Sequence, residues 1–499
     1  MLKLLKAMAT TGGASIVTML LGLVTNKVVA VLLGPMGVGL LASFRVVQDT
    51  FVGLGVLGGT AAQVQALTSV EGEARRRRLV ACVWLTLVGM AVFSVILIAG
   101  APLIANHFFR DPSPDVVVAV RWLVVSVCTA IAGAVALSFV NVSGAIGSIA
   151  LVQIAASTAA LAAAWPLASL AGGEGAHVAY VGLILAPLAC QLVLALMLCH
   201  RFGWLPQIGA ALRQVPQRAD LMHFLSFFVA NVGGGLITSA CMLSLRATII
   251  ETQGQPFNGL FQASWTLTQQ NLTVLMASLG TYILPTLAAA HDPSERRRFL
   301  DDTLPVIMVL TVVLAGVGLL FMPLILRLLY SGAFLPAIES LRWMLVGNLF
   351  SALVSIYVCL LLARGRPLLS AATDVAWYIG FTGIGMAVLT GIVDSSRFGL
   401  GRLEALGVAF MAMTSLRLLC LVVISHMALD YAPAPRVWAV GAASLALLVF
   451  AAWVGWSTRE VNWLVSLPAA ALICTTPLTL LNRQRLRQVR QLVAARLGG

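Results

Sequence analysis

Apolar residues run along this chain in stretches of about twenty or more, separated by short polar segments and without a period-two alternation. An α-helix of that length crosses a hydrocarbon layer of about 30 Å. The stretches fall near residues 8–33, 39–67, 79–105, 116–141, 145–168, 179–199, 222–247, 259–284, 303–328, 338–363, 368–391, 402–426, 437–456 and 463–481, which predicts fourteen membrane helices. The expected class is an all-α polytopic membrane protein. The first two stretches meet at Leu33-Gly34-Pro35-Met36-Gly37, a Gly/Pro break that reads as a turn. Lys3 and Lys6 precede the first stretch, but it continues past the roughly 7–15 apolar residues of a cleavable signal core, so it reads as a retained helix.

Composition agrees and charge adds topology. The chain has 499 residues, 60% hydrophobic and 10% charged, with a mean hydropathy of +0.98; a soluble protein carries about 25% charged residues. The net charge of +13 is distributed by segment: with the N-terminus inside, 20 of the 31 basic residues fall on cytoplasmic segments, among them Arg75–Arg78, Arg296–Arg298 and the tail from Arg483 to Arg496. Opposite segments hold Arg110, Arg397 and Arg459, with Arg121 and Arg402 at helix edges. The alternation predicts an even helix number with both termini cytoplasmic. Residues 201–221 read as a cytoplasmic linker between an N-terminal lobe (1–200, six helices) and a C-terminal lobe (222–426, six helices), followed by a helix pair and basic tail (427–499). The loops are too short to fold a catalytic domain or a nucleic-acid-binding surface. The eight cysteines form no C-x-x-C pair and the six histidines sit at helix ends, so neither a metal site nor a cofactor is expected. No Ser/His/Asp arrangement is evident, which argues against an enzyme.

A weak internal repeat supports two lobes. Lys27 precedes Gly39-Leu40-Leu41-Ala42-Ser43-Phe44-Arg45-Val46-Val47-Gln48-Asp49, and Arg246 precedes Gly259-Leu260-Phe261-Gln262-Ala263-Ser264-Trp265-Thr266-Leu267-Thr268-Gln269. Six helices separate the copies, so they share an orientation. Polar stripes accompany them: Thr11, Ser15, Thr18, Gly22 and Thr25 in the first helix, Asn231, Gly235, Thr238 and Arg246 in the seventh, and Gln262, Thr266, Gln269, Thr273 and Gly280 in the eighth. Such stripes either line a wet cavity or hydrogen-bond helices together.

Charges inside the spans narrow the candidates, because a charge facing hydrocarbon costs about 2.5–3.5 kcal/mol on insertion scales. Arg45 and Asp49 share one helix face at i, i+4, either as a self-neutralised pair or as part of a cavity. Lys27, beside Asn26, lies opposite its helix's polar stripe; it either snorkels to the outer interface or joins the cavity through a bend near Gly22. Lys27, Arg45 and Arg246 against Asp49 give a lining of net +2, with Asn26, Gln48, Gln262, Thr266 and Gln269 as further lining residues. That charge suits an anionic substrate, and arginine can fork onto phosphate oxygens. The site expected is a groove shared by helices 1, 2, 7 and 8. Asp374 and Arg417 lie about 10 and 13 Å from the cytoplasmic face on successive helices, which fits a structural ion pair or an ion-coupling site.

Four places resemble the Wzx-type polysaccharide flippases of the multidrug/oligosaccharidyl-lipid/polysaccharide exporter superfamily: Lys27–Leu40, Thr281-Tyr282-Ile283-Leu284-Pro285-Thr286-Leu287, Leu329-Tyr330-Ser331-Gly332-Ala333-Phe334, and Arg342-Trp343-Met344-Leu345-Val346-Gly347-Asn348 through Leu362-Ala363-Arg364-Gly365. The resemblance spans roughly residues 5–430. It implies a V-shaped, two-lobed transporter in the bacterial inner membrane that alternates access around a cationic cavity. The implied cargo is an undecaprenyl-diphosphate-linked oligosaccharide, moved from the cytoplasmic to the periplasmic leaflet, and only Lys27, Arg45 and Arg246 take the cationic role. Implied partners are that lipid-linked sugar, membrane lipid, and the polysaccharide polymerase and glycosyltransferases of the pathway; nucleic acid is not among them. Two departures stand out: Asn348 occupies a position where an acid is expected, and the last two helices exceed the usual twelve. Related alternatives are a multidrug or cation antiporter, whose cavity would be acidic and aromatic, and a lipid II flippase. A membrane polysaccharide polymerase or glycosyltransferase would need a larger extramembrane loop.

Overall fold

The computed structural model describes residues 2–56, 59–173, 177–289, 292–429, 431–457 and 463–480. The tail arginines from Arg483 to Arg496 and Arg459 lie outside these residues, as do the side chains of Lys3, Lys6, Thr11 and Asn231 and of most of the Gly280–Pro285 stretch. The order is α1 (Leu2–Gly55), α2 (Gly59–Thr68), α3 (Gly72–Ile104), α4 (Pro114–Val142), α5 (Ile146–Ala171), α6 (His177–Arg201), α7 (Trp204–Leu212), α8 (Arg218–Gln253), α9 (Gln255–Ala289), α10 (Pro293–Leu320), α11 (Met322–Leu329), α12 (Ile338–Ala363), α13 (Pro367–Leu389), α14 (Arg402–Leu429), α15 (Pro435–Ser457) and α16 (Trp463–Leu480). A π turn, Ala105–Phe109, extends α3, and a 3₁₀ turn, Gly332–Ala337, leads into α12. Each expected span falls mostly in helix over its described residues, and ten helices among the described residues are long and apolar enough to cross a membrane. The chain is a multi-pass membrane protein with an all-helical fold.

The first two expected spans form one helical element with an elbow. Gly34 has φ 61° and ψ −170°, a left-handed backbone that glycine adopts without a Cβ clash, and Pro35 follows it. A straight helix of 54 residues would be about 80 Å long, so the elbow turns one run into two arms. The second arm ends near Val56, and α2 continues the second span.

Packing separates two units, Met1–Gly259 with Leu329–Ser331, and Leu260–Leu328 with Gly332–Gly499. In the first, α4 packs on α3 and α6, and α1 on α5. Helix α5 is alanine-rich, and Ala156, Ala164 and Ala168 are buried along it. Small side chains let membrane helices approach closely, where no difference in hydrophobicity between lipid and protein drives them together. The 201–221 segment contains α7, and it is held to this unit: Trp204 stacks on Phe139 and donates to Ser143 Oγ at 2.8 Å, while Trp84 Nε1 donates to the Gln214 carbonyl at 2.8 Å. Arg75 lies over the Trp204 ring.

In the second unit α12 packs against α14 and α10 against α15. A Cβ at Gly407 would meet the Ser340 carbonyl at 2.4 Å, and one at Gly455 the Leu319 carbonyl at 2.3 Å, so both crossings need glycine. The Arg342 guanidinium pairs with Glu404, which also accepts from Trp343 Nε1 at 2.9 Å. Asp301 accepts from the Tyr431 hydroxyl at 3.0 Å and the Ala434 amide at 3.2 Å, fixing the start of α15.

A candidate cationic site on the first unit

The two arms of α1 expose different chemistry. The first arm exposes Ile16, Val17, Leu20, Val24 and Val31, an apolar face suited to lipid. The second buries Leu40, Leu41, Phe44 and Val47 and exposes Arg45, Asp49 and Gly53 instead. Two charges on an exposed face at membrane depth need water or a polar ligand, because hydrocarbon would cost several kcal/mol. Among the described residues no ion pair joins Arg45 to Asp49 and neither side chain is hydrogen-bonded, so both remain available, within electrostatic reach of one another. The self-neutralised contact pair is not formed.

Lys27 joins the same neighbourhood. Its Nζ donates to the Tyr330 carbonyl at 2.5 Å, so the Leu329–Ser331 segment packs with the first unit at this point. Tyr330 is 4% exposed and is itself an electrostatic neighbour of Arg45. Tyr330 thus connects Lys27, on the first arm of α1, with Arg45, on the second. The break in α1 lies at Gly34, beyond Lys27, and not near Gly22, so Lys27 keeps its place opposite the stripe on the first arm and reaches the Tyr330 carbonyl from there. Asn26 is half-buried beside it, whereas Gln48 is 5% exposed and faces the interior.

Arg246 differs from expectation. It is 2% exposed, and its Nη1 donates to Asn258 Oδ1 at 2.9 Å. Asn258 in turn donates to the Gly39 carbonyl at 2.9 Å and to Ser43 Oγ at 3.1 Å. This chain of bonds ties α8, the first turn of α9 and the second arm of α1. Beside it Gly39 and Gly259 cross in backbone contact: a Cβ at Gly259 would lie 1.8 Å from the Pro35 carbonyl, and one at Gly39 2.5 Å from the Gln255 carbonyl. Arg246 is an anchor in this packed crossing rather than an open wall of a cavity. Its sequence setting, a basic residue before a Gly-Leu, looked like that of Lys27; the partner twelve residues on distinguishes them.

In the second unit Gln262, Thr266 and Gln269 are half-buried along one side of α9, with Gln262 Nε2 donating to Thr266 Oγ1 at 2.9 Å. The other side of α9 is sealed: Ser264 meets Ser340 Oγ at 2.7 Å, and Asn348 Nδ2 donates to the Thr268 carbonyl at 3.0 Å. An amide can donate there and an ionised carboxylate cannot, which explains why asparagine stands at position 348. Asp374 and Arg417 are joined at 2.6 Å. Among the described residues no group of three or more His, Cys, Asp or Glu could hold a metal ion.

A family model described as "Polysaccharide biosynthesis protein" matches residues 28–339. No curated protein matches by sequence. Among solved structures, a lipid II flippase MurJ in an inward closed conformation aligns with a TM-score of 0.67 at 14% identity, over 94% of this chain and 97% of its own. An inward-facing multidrug resistance MATE family transporter of the MOP superfamily aligns at 0.63 and 15% identity, over 85% and 95%. A MATE complex with MaL6 aligns at 0.60 and 15%, over 87% and 96%. At these identities the likeness is one of fold.

Proposed function

Because the chain belongs to the polysaccharide biosynthesis protein family, whose Wzx-type members are flippases rather than enzymes, we propose that it flips an undecaprenyl-diphosphate-linked oligosaccharide. Transport runs from the cytoplasmic to the periplasmic leaflet of the bacterial inner membrane, in exopolysaccharide or O-antigen synthesis. The observation that carries this reading is the exposed charge on the second arm of α1, Arg45 with Asp49, next to Lys27 and Tyr330. A diphosphate-linked lipid presents phosphate oxygens at the headgroup and an apolar tail. Arg45 and Lys27 match the former through charge-assisted hydrogen bonds. Asp49 moderates the charge and leaves the site net positive.

Access alternates about this cationic site, with both termini cytoplasmic and the two lobes of the sequence repeat as the moving parts. Gln262, Thr266 and Gln269 contribute neutral polar surface in the second unit. Asp374, closely held by Arg417, takes a structural role before an ion-coupling one, since releasing the carboxylate means breaking the pair. The pathway's polymerase and glycosyltransferases are the partners. A lipid II flippase is the second reading, favoured by the breadth of the fold alignment with such a protein.

Deletion in the native host tests the proposal: lipid-linked repeat units are expected to accumulate on the cytoplasmic leaflet, and the chain supplied in trans releases them. Units that still reached the periplasm, with no redundant flippase present, would reject it. Accumulation of lipid II in their place would select the second reading.

A further inference from the structure

A pocket in the first unit with two amide side chains in its wall lies outside the cationic site. It has a volume of about 350 Å³ and is shallow, lined by Thr18 of α1, Gln153, Ala156, Ser157 and Ala160 of α5, and Pro187 and Gln191 of α6. Gln153 and Gln191 are the amide side chains of their helices, each set in an otherwise apolar run. Among the described residues neither has a hydrogen-bond partner, and no charge lines the pocket.

The pocket's direction follows from helix geometry. Helix α5 exposes Leu151 and Trp165, α1 exposes Ile16, Leu20 and Val24, and α6 exposes Val178, Val193 and Leu196. At 100° per residue, these apolar groups lie roughly 120–170° round their helices from the pocket residues. Each of the three helices therefore carries exposed apolar groups on the side away from its pocket residues. Two unpartnered amides in that position are solvated or occupied; hydrocarbon against them would be costly.

We infer that this pocket binds an uncharged, hydroxyl-rich group, namely a sugar ring of the transported oligosaccharide. A primary amide offers donors and an acceptor side by side, as neighbouring ring hydroxyls require; Ser157 adds a hydroxyl of either sense, and Thr18, whose hydroxyl donates to the Ser15 carbonyl at 3.0 Å, adds an acceptor. The absence of charge in the lining excludes the diphosphate as its natural occupant, and the small Ala156 and Ala160 leave room for a ring. The volume falls at the small end of ligand sites, of order 300–1,000 Å³. The inference rests on the flippase reading and adds sugar recognition to it: α1 would present the headgroup phosphates with Arg45 and Lys27 and the sugar with Thr18.

The test uses the full chain in lipid nanodiscs and two probes, the host's lipid-linked oligosaccharide and undecaprenyl diphosphate without sugar. The variant Gln153→Leu/Gln191→Leu is expected to weaken binding of the sugar-bearing lipid roughly tenfold, the scale of one or two neutral hydrogen bonds, and to leave the bare lipid unchanged. Equal weakening of both probes, or no change in either, would overturn the inference. If that variant fails to fold, Ala160→Leu, which fills the pocket and removes no polar group, must give the same selective loss. Wild-type protein that binds neither probe would reject the flippase reading, and this inference with it; wild-type protein that binds both, with variants unchanged, rejects the inference alone.

Discussion

Arg45 and Arg246 are both arginines set in apolar runs, yet the structure gives them opposite surroundings. Arg45 is exposed with no hydrogen-bond partner among the described residues, and Arg246 is 2% exposed and bonded to Asn258. Arg45→Ala is therefore expected to cut export by more than about tenfold, the effect of removing a charge-assisted contact to phosphate, with the amount of protein in the membrane unchanged by immunoblot. Arg246→Ala leaves the Asn258 carbonyl short of its buried donor, a loss of about 1–3 kcal/mol. It should lower the melting temperature of the purified protein and its level in the membrane; a stable variant that fails only in export would return Arg246 to the substrate. Asn348→Asp is expected to destabilise as well, because it sets a carboxylate against the Thr268 carbonyl; a melting temperature equal to that of the parent would contradict this account. The charges at positions 27, 45 and 49 were legible in the sequence because hydrocarbon tolerates none of them. The buried state of Arg246 was not legible, since a satisfied charge and an open one look alike until the partner is placed. Gln153 and Gln191 carried a signal that went unused, a lone amide in each of two apolar helices.

At the scale of elements, hydrophobic length located the helices and Gly34-Pro35 marked the turn between the first two, but the elbow's consequence needed coordinates. It separates the arm carrying Lys27, which donates to the Tyr330 carbonyl from the side opposite its polar stripe, from the arm carrying Arg45. The π turn at Ala105–Phe109 and the short helix α7 inside the expected linker also left no clear pattern, because each is set by packing around Phe109 or Trp204 rather than by periodicity. The Gly39–Gly259 crossing makes a sharp prediction. Gly259→Ala places a methyl within 1.8 Å of the Pro35 carbonyl, whereas Gly53→Ala on the same arm as Arg45 meets nothing within 4 Å. Gly259→Ala should deplete folded protein in detergent extracts, judged by a monodisperse elution peak, and Gly53→Ala should not; equal behaviour of the two would show that the crossing can shift at little cost.

For the whole molecule, the fold is that of known flippases and transporters, while the family match adds polysaccharide biosynthesis. What distinguishes a carrier of lipid-linked sugar from an exporter of organic cations is the sign of the charge at the site, and here the half-buried Lys27 and exposed Arg45 against exposed Asp49 leave the site net basic. The central claim is that this charge carries a diphosphate-linked oligosaccharide across the bilayer. The direct measurement is reconstitution of the purified chain into proteoliposomes loaded with the host's lipid-linked oligosaccharide, with sodium or proton gradients imposed in either direction, and removal of outer-leaflet sugar by an added glycosidase. The account predicts that the chain makes inner-leaflet oligosaccharide accessible to the enzyme under at least one gradient, and that Arg45→Ala abolishes this. Sugar exposure at the rate of protein-free vesicles under every gradient would contradict it.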